Sequence, residues 1–119
     1  MRSPAGEPRV DPAADTYVVI SIDDPGSLVL VEGRLSAATV SELRAALVAA
    51  ADNGDGDLTL DLGGVEIVDA SGLGVLVGAH RLAERRGRRL VLRNVPGRIV
   101  RLLAATRLNR ILAIEPATG

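Results

Sequence analysis

The chain has 119 residues, enough for one domain and too few for two independent cores. Hydrophobic residues make up 47% of it, yet Phe and Trp are absent and Tyr occurs once, so the core is aliphatic and no aromatic platform exists for stacking nucleic-acid bases. The net charge of −1 also points away from nucleic acid; the lack of Cys and the single His80 exclude disulfides and multi-ligand Cys/His metal centres.

All 14 basic residues are Arg, which excludes Schiff-base chemistry and a P-loop lysine. No cofactor-binding or metal-binding residues are expected. No apolar run approaches the ~18 residues of a membrane span, and Met1-Arg2-Ser3-Pro4 leads into no signal-peptide core. The expectation is a soluble, cytoplasmic protein.

In chain order, residues 1–16 mix Pro4, Pro8 and Pro12 with small and acidic residues, the composition of a flexible tail. A domain over 17–115 follows, with 116–119 as a C-terminal tail. Tyr17 to Ile22 and Leu28 to Gly33 are β-branched-rich runs across Asp23-Asp24-Pro25-Gly26 and read as a hairpin. Thr39-Val40-Ser41-Glu42 matches a capping box, opening a helix with Val40, Leu43, Leu47 and Ala50 on one face. The helix is expected to stop near Asp52-Asn53-Gly54, because Gly tolerates the left-handed conformation common just past a C-cap.

Leu58, Leu60 and Leu62 alternate as a strand; Val65 to Gly72 then leads into a second helix with a stripe of Val75, Leu76, Ala79, Leu82 and Ala83. Gly87 ends that helix, and Leu90-Val91-Leu92 is a short strand. Pro96-Gly97 opens a third helix whose face is Ile99, Leu102, Leu103 and Thr106, and Ile111 to Ile114 is the last strand. The result is one α/β domain in the order ββαβαβαβ, with a mixed, mostly parallel sheet covered by helices.

Charge divides unevenly. Residues 1–80 carry 4 Arg against 13 acids, and residues 81–119 carry 10 Arg against 2, leaving about −9 and +8. The run Arg85-Arg86-Gly87-Arg88-Arg89 complements a helix dipole or offers a docking patch for an acidic partner.

Two enzymatic motifs fail on spacing. Gly72, Gly74 and Gly78 read G-x-G-x-x-x-G, one residue too long for a dinucleotide fingerprint. Asp69 stands where G-x-S-x-G needs Gly, and His80, nine positions past Ser71, lies about 13 Å along a helix axis, too far for proton transfer. His80 reads as a helix-surface residue. No catalytic residue is assigned.

Asp69 and Ser71 stand where the second helix begins, as N-caps or as functional groups. At 100° per residue Ser71, Gly74, Gly78, Arg81 and Arg85 lie along one line away from the apolar stripe. Glycine inside a helix costs about 0.5–1 kcal/mol relative to Ala, so Gly74 and Gly78 serve close approach, either of a partner's backbone or of another element of this fold.

The run Leu60-Asp61-Leu62-Gly63-Gly64-Val65-Glu66-Ile67-Val68-Asp69-Ala70-Ser71-Gly72-Leu73-Gly74 resembles the STAS domain of anti-sigma factor antagonists, a likeness covering about Tyr17 to Ile114. The resemblance implies that Ser71 is phosphorylated by an anti-sigma factor that is also a serine kinase, that a phosphatase reverses this, and that Asp69 and Gly72 support the site. The partner surface is expected on the flat Gly74/Gly78 line beside Ser71, with Leu73 and Val77 at its edge and Ser36 and Arg81 alongside.

Two departures from the family pattern stand out. Gly33-Arg34-Leu35-Ser36 replaces Gly-Glu-Leu-Asp, and Thr106-Arg107-Leu108 replaces Thr-Gly-Leu, implying a differently capped third helix. The implied function is partner switching in transcription control. Its rivals are an unphosphorylated STAS subunit of a stress-signalling scaffold or lipid-transporter complex, and an enzyme with Ser71 as nucleophile.

Overall fold

The computed structural model describes residues 18–24 and 26–116. The tail read over 1–16, Tyr17, Pro25 of the hairpin turn and residues 117–119 lie outside them. The elements are β1 (Val18–Asp24), β2 (Leu28–Leu35), α1 (Val40–Asp52), β3 (Asp57–Val68), α2 (Ala70–Arg85), β4 (Arg89–Arg93), α3 (Gly97–Ala105) and β5 (Ala113–Ile114). The order and the mixed sheet are those read from the sequence.

The sheet order is β1-β2-β3-β4-β5, with β1 antiparallel to β2 and the remaining pairs parallel. Successive right-handed crossovers that advance in one direction put their helices on one face of the sheet. Accordingly Val29, Val31 and Leu35 of β2, Leu58, Leu60 and Leu62 of β3, and Leu90 and Leu92 of β4 form one core. Leu43 and Leu47 of α1, Val75, Leu76 and Ala79 of α2, and Ile99 and Leu103 of α3 complete it.

Several local expectations are corrected. Thr39 is fully buried but makes no side-chain cap. Its hydroxyl instead donates to the Arg34 carbonyl at 2.6 Å and accepts from the Ser36 amide at 3.0 Å, tying the β2–α1 turn. Glu42 is exposed and makes no reciprocal cap.

α1 stops where expected, at Asp52 with Asn53 as its C-cap, but Gly54 does not take the left-handed conformation. Gly54 is small for another reason: a Cβ there would stand 2.7 Å from the Gly26 carbonyl oxygen of the hairpin turn. Gly87 does take φ +72° behind α2, as expected.

β3 continues through Gly63-Gly64 because two register shifts against β2, after Leu30 and after Gly33, each absorb an extra β3 residue. The last strand is shorter than read: Leu108–Arg110 form a 3-10 turn and only Ala113–Ile114 pair with β4. Thr106 is exposed rather than part of the α3 face, its hydroxyl donating to the Leu102 carbonyl at 2.8 Å. Arg107 follows at φ +64°, the left-handed conformation that the Gly of the family pattern would adopt without strain.

The arginine run divides by function within the fold. Arg86 pairs with Asp52 at 2.7 Å and Arg89 with Asp57 at 3.2 Å. Arg88 is 5% exposed, and its guanidinium donates to the carbonyls of Ala50, Ala51, Gly56 and Gly26, holding the end of α1, the α1–β3 loop and the hairpin turn together. Arg86, Arg88 and Arg89 are thus engaged within the fold, and Arg85 faces the space between α1 and α2.

Candidate functional site

Parallel pairing of β2 with β3 brings the β2–α1 turn beside the start of α2. The Asp69 amide donates to the Leu35 carbonyl at 3.0 Å, extending the ladder one step past β3. Asp69 then leaves the strand in an extended conformation, and its carboxylate accepts from the Gly72 amide at 3.1 Å as the N-cap of α2.

Gly72 is buried against the end of β2. A Cβ there would lie 2.6 Å from the Leu35 carbonyl oxygen and 2.9 Å from Val68 Cγ1, so no larger residue fits without moving backbone. Asp69 and Gly72 thus fix the start of α2 from both sides, which places Ser71 one position after the first helical residue and exposed.

Its hydroxyl has no partner among the described residues. The first-turn amides of a helix have no intrahelical acceptor. Asp69 takes one of them, and those of Ala70 and Ser71 have no acceptor among the described residues, at the positive end of the helix dipole. Of the two N-cap candidates at this helix start, Asp69 holds the cap and Ser71 is left free.

Ser36 sits one residue beyond Leu35, and its hydroxyl accepts from the Ala38 amide at 3.3 Å. It is brought to the same edge as Ser71 but is engaged in its own turn. Leu73 is half-buried against the core, Val77 is half-buried, and Gly74, Gly78 and Arg81 are exposed. Neither glycine serves packing within the fold: a Cβ at Gly74 or Gly78 meets nothing within 4 Å.

His80 departs from its expected surface position. Its side chain is 16% exposed, Nδ1 is buried without a partner among the described residues, and Nε2 lies 3.6 Å from Glu84. It turns toward Glu84, one turn further from Ser71. No group of three or more His, Asp or Glu side chains that could hold a metal occurs among the described residues.

Arg44, Leu47 and Val48 of α1 border the Gly74/Gly78 line, a neighbourhood that sequence reasoning did not reach. The available signal was Arg44 and Val48 one helical turn apart on α1, which becomes meaningful only once α1 and α2 are known to be neighbours.

The STAS-domain family model described as "Mlab, STAS domain" matches residues 18–114. The anti-sigma-B factor antagonist of Bacillus subtilis (strain 168) is 35% identical over 85 residues, covering 71% of this chain and 77% of that protein. An anti-sigma factor antagonist from Mycobacterium paratuberculosis shares the fold at TM-score 0.70 and 24% identity, covering 86% of this chain and 88% of the other. The Bacillus cell fate determinant SpoIIAA in its phosphorylated form shares it at TM-score 0.61 and 17% identity, covering 84% and 92%. Among the described residues no helix is long and apolar enough to cross a membrane. With its matched span running from β1 to β5 and the Asp-Ala-Ser-Gly turn at the start of α2, the chain belongs to the STAS-domain family of anti-sigma factor antagonists.

Proposed function

We propose that this protein binds an anti-sigma factor through the face around Ser71 and releases it when that anti-sigma factor, acting as a serine kinase, phosphorylates Ser71. A phosphatase restores the binding form. The observation that carries the reading is the exposed, unpartnered Ser71 hydroxyl on a helix start held in place by Asp69 and Gly72.

A phosphate there adds about −1.5 to −2 charges at pH 7. The unpaired amides of the first turn and the helix dipole favour an anion, so the fold tolerates the group. A docked partner would have to desolvate it beside the Asp69 carboxylate, so the added charge acts on binding rather than on folding.

The test is the affinity of anti-sigma factors from the same genome for Ser71→Ala and Ser71→Glu. The reading expects Ser71→Ala to bind like the unmodified protein and Ser71→Glu to bind at least about tenfold more weakly, a difference of about 1.4 kcal/mol. Equal binding by both removes the switch. A stable complex that never carries phosphate would instead support an unmodified interaction subunit of a larger assembly.

A further inference from the structure

Between α1 and α2 runs a groove of about 260 Å³. Leu47 of α1 and Val75 of α2 lie buried at its base, and Val48, Leu82 and the exposed Gly74 and Gly78 line its open surface. Val48 is 39% exposed, so it presents an apolar surface in contact with water. Because a Cβ on either glycine would touch nothing within 4 Å, the glycine line leaves room for a backbone to come close.

The rims carry charge of one sign. Arg44 and Arg85 line the groove, Arg81 continues the same side of α2, and none of the three has a hydrogen-bond or ion-pair partner among the described residues. The carboxylates of these helices are directed elsewhere: Asp52 is held by Arg86, and Glu84 lies against His80. Glu42 is two positions from Arg44, about 200° around α1.

We infer that the groove seats an acidic amphipathic helix of the partner. The apolar stripe of that helix lies along the Gly74/Gly78 line and Val48, and its flanking carboxylates meet Arg44 and Arg85. A nucleic acid does not suit an apolar groove that lacks aromatic residues. The helices of a second copy do not supply such an acidic face, because Asp52 and Glu84 are engaged as above, Glu42 stands alone on α1 and α3 carries no acid.

This inference rests on the proposed function for the identity of the partner and adds the chemistry of its contact. It also gives the switch a direction: Ser71 lies one turn before Gly74 on the same line of α2, so a phosphate there sets negative charge against an acidic occupant.

The experiment titrates the full ¹⁵N-labelled chain with two synthetic 18-residue helical peptides that share a Leu/Ala stripe, one flanked by Glu and one by Lys. The acidic peptide is expected to shift the amides of Val48, Gly74, Val75 and Gly78 and to bind about tenfold more tightly than the basic one. Arg44→Glu combined with Arg85→Glu should reverse that preference, and the spectra themselves report whether the double variant is folded. Ser71→Glu should weaken the acidic peptide several-fold, and Ser71→Ala should not.

Absence of groove shifts with either peptide, or equal affinity for both, overturns the inference. So does a concentration-dependent shift of the same amides without peptide, which would mean that a second copy occupies the groove. Failure of Ser71 to act as a switch leaves the peptide result standing. A working Ser71 switch whose partner is indifferent to Arg44→Glu and Arg85→Glu removes this inference alone.

Discussion

Three glycines of α2 differ in what surrounds them, and alanine at each should move stability in different directions. At Gly74 and Gly78 an added methyl meets nothing within 4 Å, so the substitution gains only helix propensity, about 0.5–1 kcal/mol per site. At Gly72 the methyl would stand 2.6 Å from the Leu35 carbonyl oxygen and 2.8 Å from Leu35 Cβ, distances that require β2 or α2 to shift. Such overpacking costs about 1–3 kcal/mol, which outweighs the propensity gain.

Urea denaturation of the single variants and of the Gly74→Ala/Gly78→Ala pair gives the comparison. The pair should be about 1–2 kcal/mol more stable than the natural sequence, worth several degrees in melting temperature at about 4–8 °C per kcal/mol. Gly72→Ala should be less stable than the natural sequence. The same pair should bind the partner more weakly, because the methyls occupy the glycine line. A destabilised Gly74→Ala or Gly78→Ala would refute the conclusion that nothing within the fold needs these glycines.

Further substitutions probe the supporting structure. Arg88→Ala should cost about 3–5 kcal/mol in denaturant unfolding, because the carbonyls of Ala50, Ala51 and Gly26 lose their buried donor together. Thr39→Val keeps the shape but removes the acceptor of the Ser36 amide and the hydroxyl that donates to the Arg34 carbonyl, a loss of about 1–3 kcal/mol by the same measurement. Asp69→Ala should lose about 1 kcal/mol through the missing N-cap, with Asp69→Asn retaining most of it. Arg107→Gly should gain about 1 kcal/mol by relieving φ +64°, visible as a raised melting temperature.

The elements and their order along the chain were legible because burial dictates them. Leu58, Leu60 and Leu62 alternate, and the stripe Val75, Leu76, Ala79 and Ala83 has helical spacing, so each element carries its own signal. The continuation of β3 past Leu62 was not, because two bulges break the period of two at Gly63-Gly64 and beyond. Thr39 and Glu42 carry the letters of a capping box, yet the β2–α1 turn offers Thr39 two buried backbone partners that local sequence does not reveal.

The site divides in the same way. Asp69, Ser71 and Gly72 are contiguous, and their arrangement follows from one helix start. The groove depends on α1 lying beside α2, a long-range fact, and so Arg44 and Val48 escaped notice. The arginine run left two readings open for the same reason: the partners of Arg86, Arg88 and Arg89 lie about thirty or more residues earlier in the chain.

The most direct test of the central claim is the intact mass of the natural protein and of Ser71→Ala after incubation with ATP and each anti-sigma kinase of the same genome. The account predicts one added phosphate on the natural protein, none on Ser71→Ala, and loss of the complex as the phosphate appears. Phosphate on Ser71→Ala, or a phosphorylated protein that still holds its anti-sigma factor, would contradict it.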